Sequence, residues 1–475
     1  MSDPEKGGRA LELQGKALRE RLEECSRFVL EHLRTLAEQP SFNVEGAADL
    51  AATFREPAPR EGSPLEEILQ RLKPAFEKSL TTAGPGYLAF IPGGGVPAAA
   101  LADLLACITN RFVGVAAAAP ALAQIEATVV GWLAALMGCP EEAGGILTSG
   151  GSISNLMAIV AARQARIPQR FQEGRIYLSE ETHLSVVKAA RIAGFSEENL
   201  CWIPVDGRCR IQASRLEEAI RQDESRGLRP FLIVANAGTV NTGAVDPIPD
   251  LIEIGRRHNL WVHADAAYGG FFRLVPEGAA LLPAIEQSDS ITLDPHKGLF
   301  LPYGTGCLLV RRPEVLREAL ETRAGYLQDV AEGRGIPNFH ELSPELSRDF
   351  RGLRIWLPFQ LHGWPAFQEL LQEKLDLARW AYGELKEDPH FEMLDEPQLS
   401  IVAFTAKGDA PEADRRGEEI LRRVNERKQV FLSSTKMGGR YVLRICVLNF
   451  RTHRDRVQAA VEGLKEEARA VFAEA

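Results

Sequence analysis

Hydrophobic positions follow a helical spacing at the start of the chain. The apolar residues that predict amphipathic helices over residues 10–38 are Leu11, Leu13, Leu18, Leu22, Phe28, Val29, Leu33 and Leu36. The Pro- and Gly-containing segment around Pro57–Pro64 is typical of a linker, and helical spacing resumes over Leu65–Leu80. The N-terminal part of the chain is therefore predicted to be helical.

The pattern changes between Gly144 and Arg312, where short β-branched runs alternate with helical segments. The predicted strands are Arg175–Leu178, Phe231–Ala235, Trp261–Ala264, Ser290–Leu293 and Cys307–Val310, and the predicted helices are Ile153–Gln164, His183–Ile192, Arg215–Gln222 and Ile248–Arg257. This alternation predicts an α/β fold with a mainly parallel sheet covered by helices. Because ligands of such sheets sit at the carboxyl ends of the strands, candidate chemistry is sought in the residues that follow them.

The chain changes character again after the predicted sheet. Gly325–Arg348 is polar, rich in Gly and Pro and without clear periodicity, which is typical of a long lid-like loop. A helix is predicted over Leu370–Leu385, followed by strands around Ile401–Phe404 and Tyr441–Val447 and a final helix over Arg454–Phe472. The C-terminal part is therefore predicted to be a separate α+β domain.

Composition narrows the class of protein. The 475 residues include 55 basic and 65 acidic side chains, and the net charge of −10 argues against nucleic acid or an anionic membrane as the main partner. The sequence has no apolar run of the ~18 residues that a membrane span needs, and its charged beginning has no apolar signal core, so we expect a cytoplasmic protein. The seven cysteines are scattered without a CxxC pair, which predicts neither a disulfide framework nor a metal site.

The first candidate for chemistry is Lys297 in the segment Asp294–Gly298 (DPHKG), directly after the predicted strand Ser290–Leu293. The apolar run that follows this lysine should partly desolvate its amine. Desolvation disfavours the ammonium form and supplies the free amine that a Schiff base requires. The alternative is a lysine in an exposed loop without a catalytic role.

The second candidate is Asp265 in the segment His263–Gly270 (HADAAYGG), which leaves another predicted strand. A carboxylate there must be paired to remain charged. The pyridine nitrogen of pyridoxal-5′-phosphate (PLP) is a suitable partner, because the carboxylate keeps the ring protonated and able to withdraw electrons. Small Ala266 and Ala267 would let a flat ring approach. A helix cap at Asp265, or a metal pair with His263, is the alternative.

Two further segments fit the same cofactor. Thr148–Asn155 (TSGGSISN) opens a predicted helix with glycines and hydroxyls, which can bind an anion such as phosphate through backbone N–H groups. His183 follows a predicted strand and could stack on a planar ring. Considered alone, the segment Thr148–Asn155 could be a simple helix cap, and His183 could be a structural histidine. The joint order of phosphate cup, His, Asp and Lys is what makes the pattern specific.

With these residues, the chain resembles the group II PLP-dependent amino-acid decarboxylases, which include the aromatic-L-amino-acid, histidine and glutamate decarboxylases. The resemblance runs from about Gly86 to Lys465, and HADAAYGG and DPHKG are its most specific pieces. It implies a fold-type I (aspartate aminotransferase-like) large domain with a mainly parallel seven-stranded sheet over residues 91–365. It also implies an N-terminal helical dimerisation segment over 1–90, a small C-terminal α+β domain over 366–475, and a homodimer with shared active sites.

The resemblance assigns roles by motif. Lys297 corresponds to the Schiff-base lysine, Asp265 to the partner of the pyridine nitrogen, and His183 to the histidine stacked on the ring. The other residues implied to bind the cofactor are Ser152, Ile153, Ser154, Thr239, Ala267 and His296. Arg444 corresponds to an arginine near the substrate carboxylate, which a guanidinium can bind with two hydrogen bonds.

Three positions depart from the family pattern. Many relatives have Asn where this chain has Asp294, and many have a second Thr where it has Val240. The family's mobile loop carries a Tyr that protonates the substrate carbon after CO₂ leaves. Counting back from the Phe-Arg pair at 350–351 puts this position at Phe339, which cannot donate a proton, and leaves Tyr326 and His340 as alternative donors.

The resemblance implies PLP-dependent decarboxylation of an L-amino acid to an amine and CO₂. An aromatic substrate is favoured because Gly84–Val96 (GPGYLAFIPGGGV) is similar to a pocket wall of the aromatic decarboxylases, and its run of three consecutive glycines leaves space. The alternatives are decarboxylation of glutamate or aspartate, oxygen-dependent formation of an aldehyde, another fold-type I reaction such as transamination, and an inactive scaffold.

Overall fold

The computed structural model describes residues 11–321 and 335–474. No helix in this part of the chain is long and apolar enough to cross a membrane. The helices are α1 (Gly15–Thr35), α2 (Ala47–Ala52), α3 (Leu65–Glu77), α4 (Pro97–Thr109), α5 (Pro120–Leu136), α6 (Gly151–Arg166), α7 (Leu184–Ile192), α8 (Ala213–Ser225), α9 (Ile248–His258), α10 (Pro276–Leu281), α11 (Pro295–Gly298), α12 (Glu314–Leu320), α13 (Gly352–His362), α14 (Trp364–Lys386), α15 (Ala410–Glu426) and α16 (Arg454–Ala473). The strands are β1 (Gly144–Thr148), β2 (Gly174–Ser179), β3 (Leu200–Ile203), β4 (Arg229–Asn236), β5 (Trp261–Asp265), β6 (Ser290–Leu293), β7 (Gly306–Val310), β8 (Phe391–Met393), β9 (Ile401–Ala406), β10 (Ser433–Met437) and β11 (Arg440–Cys446).

A seven-stranded sheet forms the centre of the molecule, with strand order β1-β7-β6-β5-β4-β2-β3. Strands β6, β5, β4, β2 and β3 run parallel, and β7 is antiparallel to both of its neighbours. Buried apolar residues from the sheet and its helices form a separate hydrophobic cluster on each side. The predicted fold-type I architecture with a mainly parallel seven-stranded sheet is therefore confirmed.

The C-terminal part contains a second, four-stranded antiparallel sheet, with order β10-β11-β9-β8. Its apolar face packs with α15 and α16 in a third hydrophobic cluster. Helix α14 joins the two regions, because Phe367 and Leu371 belong to a cluster of the large sheet while Leu377 and Ala381 belong to the C-terminal cluster. The predicted domain boundary at residue 365 falls at the start of this shared helix, and the division into domains stays a prediction.

Local sequence explains several element boundaries. Pro97 and Pro120 occupy the first turns of α4 and α5, where the missing N–H is not needed. Asn110 and Asn259 follow α4 and α9 in the left-handed conformation that ends helices. These signals set where the helices stop, and so where the loops at the edge of the sheet begin.

Candidate functional site

Neighbouring strands of the large sheet bring polar side chains to one cavity. Asn236, Asp265 and Asp294 end or directly follow β4, β5 and β6. The cavity has a volume of about 360 Å³. Its walls contain most of the predicted cofactor-binding residues, which are Ser152, Ile153, His183, Thr239, Asp265, Ala267, His296 and Lys297. The carboxyl edge of the sheet is therefore the candidate active site.

Lys297 lies in the short helical turn α11 that follows β6. Its Nζ atom is 2.9 Å from Asp294 Oδ2. Asp294 is buried, and its other oxygen, Oδ1, has no hydrogen-bond partner in the described residues. The amine predicted to form the Schiff base thus lies in the cavity, next to a carboxylate with unused hydrogen-bonding capacity.

Asp265 presents a largely buried carboxylate to the cavity. Its Oδ2 accepts a hydrogen bond of 2.9 Å from Asn155 Nδ2, and its Oδ1 accepts one of 3.2 Å from the Ala267 N–H. A carboxylate can accept about four hydrogen bonds, so this one has capacity left for a protonated ring nitrogen. The neighbouring Ala267, which also lines the cavity, adds only a methyl group.

Helix α6 begins at the cavity with two glycines. Gly150 has φ +148°, a backbone conformation that favours glycine. A Cβ atom at Gly306 would lie 2.5 Å from the Gly150 Cα, so the close approach of these two segments requires glycine at position 306. As the first residues of the helix, Gly151 and Ser152 have N–H groups without an intrahelical acceptor. These donors and the helix dipole suit a phosphate group.

His183 is the N-cap of α7. Its Nδ1 accepts a hydrogen bond of 3.2 Å from the Ser185 N–H, so in the neutral ring the proton is on Nε2. Desolvation lowers the pKa of His183, and nearby Asp265 partly opposes this effect. The imidazole in the cavity wall is therefore favoured in its neutral form.

Two predicted site residues lie elsewhere because their polar groups bind other parts of the protein. Ser154 Oγ is 2.8 Å from Thr148 Oγ1, and the Ser154 N–H donates to the Gly150 carbonyl. Arg444 donates to the carbonyls of Val240 and Asn241 and to a serine hydroxyl. Neither residue lines the cavity. In this geometry Arg444 supports the loop after β4 and is not directed at a substrate carboxylate.

Phe339 is also away from the cavity. It is fully buried in one of the hydrophobic clusters, where the guanidinium of Arg348 lies 5.2 Å from its ring centre. His340 is largely buried too, with Nδ1 3.1 Å from the Gly114 carbonyl oxygen. Tyr326, the remaining predicted donor, lies outside the described residues. The segment predicted as a lid-like loop without clear periodicity thus contains a packed turn over Phe339–Leu342.

Sequence reasoning missed several cavity residues, namely Ile91, Asn155, Glu181, Tyr303 and Gly304. Ile91 belongs to the glycine-containing segment Gly84–Val96, which is predicted to leave space for a substrate. Gly93 has a different role, because a Cβ atom there would lie 2.1 Å from the His296 carbonyl oxygen. This glycine lets the segment pack directly on the backbone beside Lys297. Asn155 gave a usable signal, since it lies one helical turn after Gly151 on the same face of α6.

The cavity fits PLP by its chemistry. Lys297 can hold the aldehyde carbon, Asp265 the ring nitrogen and the start of α6 the phosphate. Among the side chains that line the cavity in the described residues, Asp294 has the only buried polar atom without a hydrogen-bond partner, its Oδ1. The set of side chains supports Schiff-base chemistry on an amine substrate.

Comparison with known proteins agrees with this chemistry. The pyridoxal-dependent decarboxylase conserved domain matches residues 48–407. The chain is 32% identical over 466 residues to an aromatic-L-amino-acid decarboxylase of Bacillus atrophaeus, covering 96% of this chain and 97% of that relative. It is 30% identical to the Sus scrofa aromatic-L-amino-acid decarboxylase, covering 86% and 87%. A crystal structure of Oryza sativa TDC with PLP and tryptamine matches with a TM-score of 0.92 and 26% identity, covering 96% of this chain and 99% of that one.

Proposed function

The chain belongs to the pyridoxal-dependent decarboxylase family, and on that premise we propose that it converts an aromatic L-amino acid to the corresponding amine and CO₂. The observation that carries the proposal is the meeting of Lys297, Asp265 and the start of α6 in one cavity. When bound, PLP supplies a conjugated ring that accepts the electron pair left on the substrate carbon as CO₂ departs.

Each residue has a proposed role that follows from its contacts. Lys297 would hold the cofactor through its Nζ, and Asp294 Oδ2, 2.9 Å away, would accept a hydrogen bond from that nitrogen whenever it is free. Asp265 keeps a positive charge on the ring nitrogen. His183 would lie against the ring of the bound cofactor and presents an Nε2–H donor to the cavity. Gly151 and Ser152 bind the phosphate through backbone N–H groups.

An aromatic substrate is supported by the charges around the cavity. Lys297 is the only lysine or arginine that lines it in the described residues, and that amine is committed to the cofactor. Glu181 also lines it, and desolvation raises the pKa of this carboxyl group. Among the described residues of one chain, an acidic side chain would meet no lysine or arginine other than Lys297, whereas Ile91 and Tyr303 offer apolar surface. Decarboxylation of glutamate or aspartate is therefore disfavoured.

The function is tested by supplying the PLP-loaded protein with separate L-amino acids in air and measuring CO₂, amine, aldehyde and hydrogen peroxide together. We expect equal amounts of CO₂ and amine from tryptophan, tyrosine or phenylalanine and no turnover of glutamate or aspartate. CO₂ with aldehyde and peroxide would identify the oxidative alternative. Keto-acid formation would identify an aminotransferase, and PLP binding without turnover of any amino acid would indicate an inactive scaffold.

The same assay on Lys297→Ala tests the site. This variant should lose both turnover and the visible absorbance of the Schiff base, because no other amine in the cavity can replace Lys297. Lys188→Ala is the matched control, since Lys188 is exposed on α7 and does not line the cavity. Activity retained by Lys297→Ala would contradict the proposed site.

We further propose a cytoplasmic homodimer in which residues 1–90 help to join the subunits. The proposed location is supported by the seven cysteines, all of which are unpaired, as suits a reducing compartment. The proposed dimer is supported by α1, which has no buried residue and exposes Leu22, Val29, Leu30 and Leu33. An apolar face of this kind is expected to be covered by a partner.

A further inference from the structure

A group of buried hydrogen bonds lies behind the cavity and centres on Asn155. Its Nδ2 donates to Asp265 Oδ2 at 2.9 Å and to Ser185 Oγ at 3.1 Å. Its Oδ1 is 3.0 Å from His263 Nε2 and 2.8 Å from Thr292 Oγ1. Asn155 therefore uses both ends of its amide, and it touches the carboxylate predicted to pair with the cofactor.

The direction of these hydrogen bonds follows from Asp265. An ionised carboxylate only accepts, so the Asn155 atom that faces it must be the nitrogen, and the oxygen faces His263. His263 Nε2 must then carry a proton. Burial lowers the pKa of His263, so the ring is neutral and Nδ1 is an acceptor. Ser290 Oγ, 2.8 Å away, donates to it and accepts from Trp261 Nε1 at 2.8 Å.

A second branch leads from Asn155 to the other side of the cavity. Ser185 Oγ accepts from Asn155, so its own proton is available to His183 Nδ1, which lies 2.7 Å away. The Ser185 N–H donates to the same nitrogen. Both contacts require an unprotonated Nδ1, which places the proton of the neutral His183 ring on Nε2.

We propose that Asn155 is a positioning residue that, held by His263, orients the Asp265 carboxylate directly and the His183 imidazole through Ser185. The inference rests on the proposed function, because Asp265 and His183 matter in this way only if a cofactor ring lies between them. It goes beyond that function by giving roles to Asn155 and His263, which touch the reacting groups only through other side chains.

The test is the isosteric variant Asn155→Asp in the PLP-loaded protein. The new carboxylate repels the Asp265 carboxylate and accepts the Ser185 hydroxyl proton. His183 Nδ1 therefore loses its hydroxyl donor, keeps the Ser185 N–H donor and gains a nearby negative charge. We expect PLP to bind about 10- to 100-fold more weakly, as when a buried polar group loses its partner. Because both changes favour protonated His183, the acid limb of the kcat/KM profile should move to higher pH.

A pair of variants at His263 keeps the test independent of any folding defect at Asn155. His263→Gln retains an amide N–H that can donate to Asn155, and it should keep most of the PLP affinity. His263→Leu removes the donor and should reproduce the weaker binding. Tyr177→Phe is the matched control, because Tyr177 lies in the same sheet and the change deletes a buried 2.9 Å hydrogen bond to Asp223 of α8 without touching this group.

The outcomes separate this inference from the proposed function. Equal PLP affinities and pH profiles in Asn155→Asp and Tyr177→Phe would overturn the positioning role while leaving the function intact. Equal affinities in His263→Gln and His263→Leu would overturn the part played by His263. A wild-type protein that takes up no PLP would instead overturn the proposed function itself.

Discussion

Asp294 is a single residue whose charge conflicts with its place in the cavity. A Cβ atom at Gly151 would lie 3.1 Å from Asp294 Oδ2, so the carboxylate lies beside the start of α6, where the phosphate is proposed to bind. Two negative groups there repel each other. We predict that Asp294→Asn tightens PLP binding about 5-fold, corresponding to roughly 1 kcal/mol. Fluorescence titration of the apoprotein with PLP measures the change.

Pyridoxal without the phosphate is the control for this repulsion. If the carboxylate acts on the phosphate, Asp294→Asn should improve the affinity for PLP and leave the affinity for pyridoxal nearly unchanged. An equal gain for both ligands would instead indicate an effect through the ion pair with Lys297, which lies 2.9 Å away. Weaker binding of PLP would show that the repulsion argument is wrong.

Single residues also determine which group donates a proton to the substrate carbon after CO₂ has left. Phe339 is fully buried, so Phe339→Tyr should place a hydroxyl in an apolar cluster, lower the free energy of unfolding by about 1–3 kcal/mol and leave the product an amine.

Tyr326→Phe should shift the product towards aldehyde and peroxide, because the remaining candidate, His340, is largely buried at its Gly114 contact. Product analysis and urea unfolding of both variants measure these effects. An amine as the main product of Tyr326→Phe would exclude Tyr326 as the donor.

The sequence was informative about the site wherever a motif follows a strand directly. Lys297 and Asp265 were predicted in this way, because the carboxyl ends of parallel strands meet at one edge. Tyr303 lines the same cavity but reaches it from a loop, whose placement depends on tertiary packing. Arg444 shows the reverse difficulty. An arginine is well suited to bind a substrate carboxylate, and the sequence predicted this role. In the folded chain, however, Arg444 binds the backbone carbonyls of Val240 and Asn241, which are distant in sequence.

At the level of elements, prediction succeeded where the apolar pattern was strong. The predicted strand Ser290–Leu293 has the same bounds as β6, and the other predicted strands of the large sheet differ from the observed ones by at most two residues at either end. Strands β1 and β3 were missed. Both are short, and β1 begins with two glycines, which weakens the strand signal. The reversed direction of β7, which is antiparallel both to β6 just before it in sequence and to the distant β1, cannot be read from its apolar pattern.

A buried ion pair links the segment before α13, which contains Arg348, to α5 and the large sheet. Arg348 pairs with Glu126 of α5 and donates to the Leu147 carbonyl at 2.7 Å, and both charged side chains are fully buried. Arg348→Met should lower the free energy of unfolding by about 3–5 kcal/mol, because Glu126 is left buried without a counter-ion. The exposed pair of Arg422 with Glu419 provides the control, and Arg422→Met should cost at most about 1 kcal/mol. Similar losses in urea unfolding would contradict the desolvation argument.

At the scale of the whole molecule, α4 is a second helix, besides α1, whose large apolar side chains face outward. In α4, Ala98, Ala99 and Ala102 are buried, while the larger side chains point away from the core. Those side chains are Leu101, Leu104, Leu105 and Ile108, and each is between 45% and 66% exposed. Their spacing places them in one stripe along the helix. Such a stripe on a single chain is expected to be buried against a second copy.

The rim of the active-site cavity also leads us to expect a second copy of the chain. Tyr303 lines the cavity and yet is 63% exposed in the single chain, so this wall is incomplete without a further covering surface. Ile108→Glu should therefore give a protein that folds, because the replaced side chain is 66% exposed, but that is monomeric and largely inactive. Light scattering with size-exclusion chromatography, circular dichroism and the CO₂ assay measure these three properties.

Ile192→Glu is the matched control, since Ile192 is 63% exposed but lies at the end of α7, outside the α4 stripe. It should leave both mass and activity unchanged, because a carboxylate on a free surface is readily hydrated. If Ile108→Glu remained a dimer, the α4 stripe would not be the subunit interface. If it became a monomer with full activity, the interface would be correct but the active site would be complete within one chain, and the exposure of Tyr303 would need no partner to explain it.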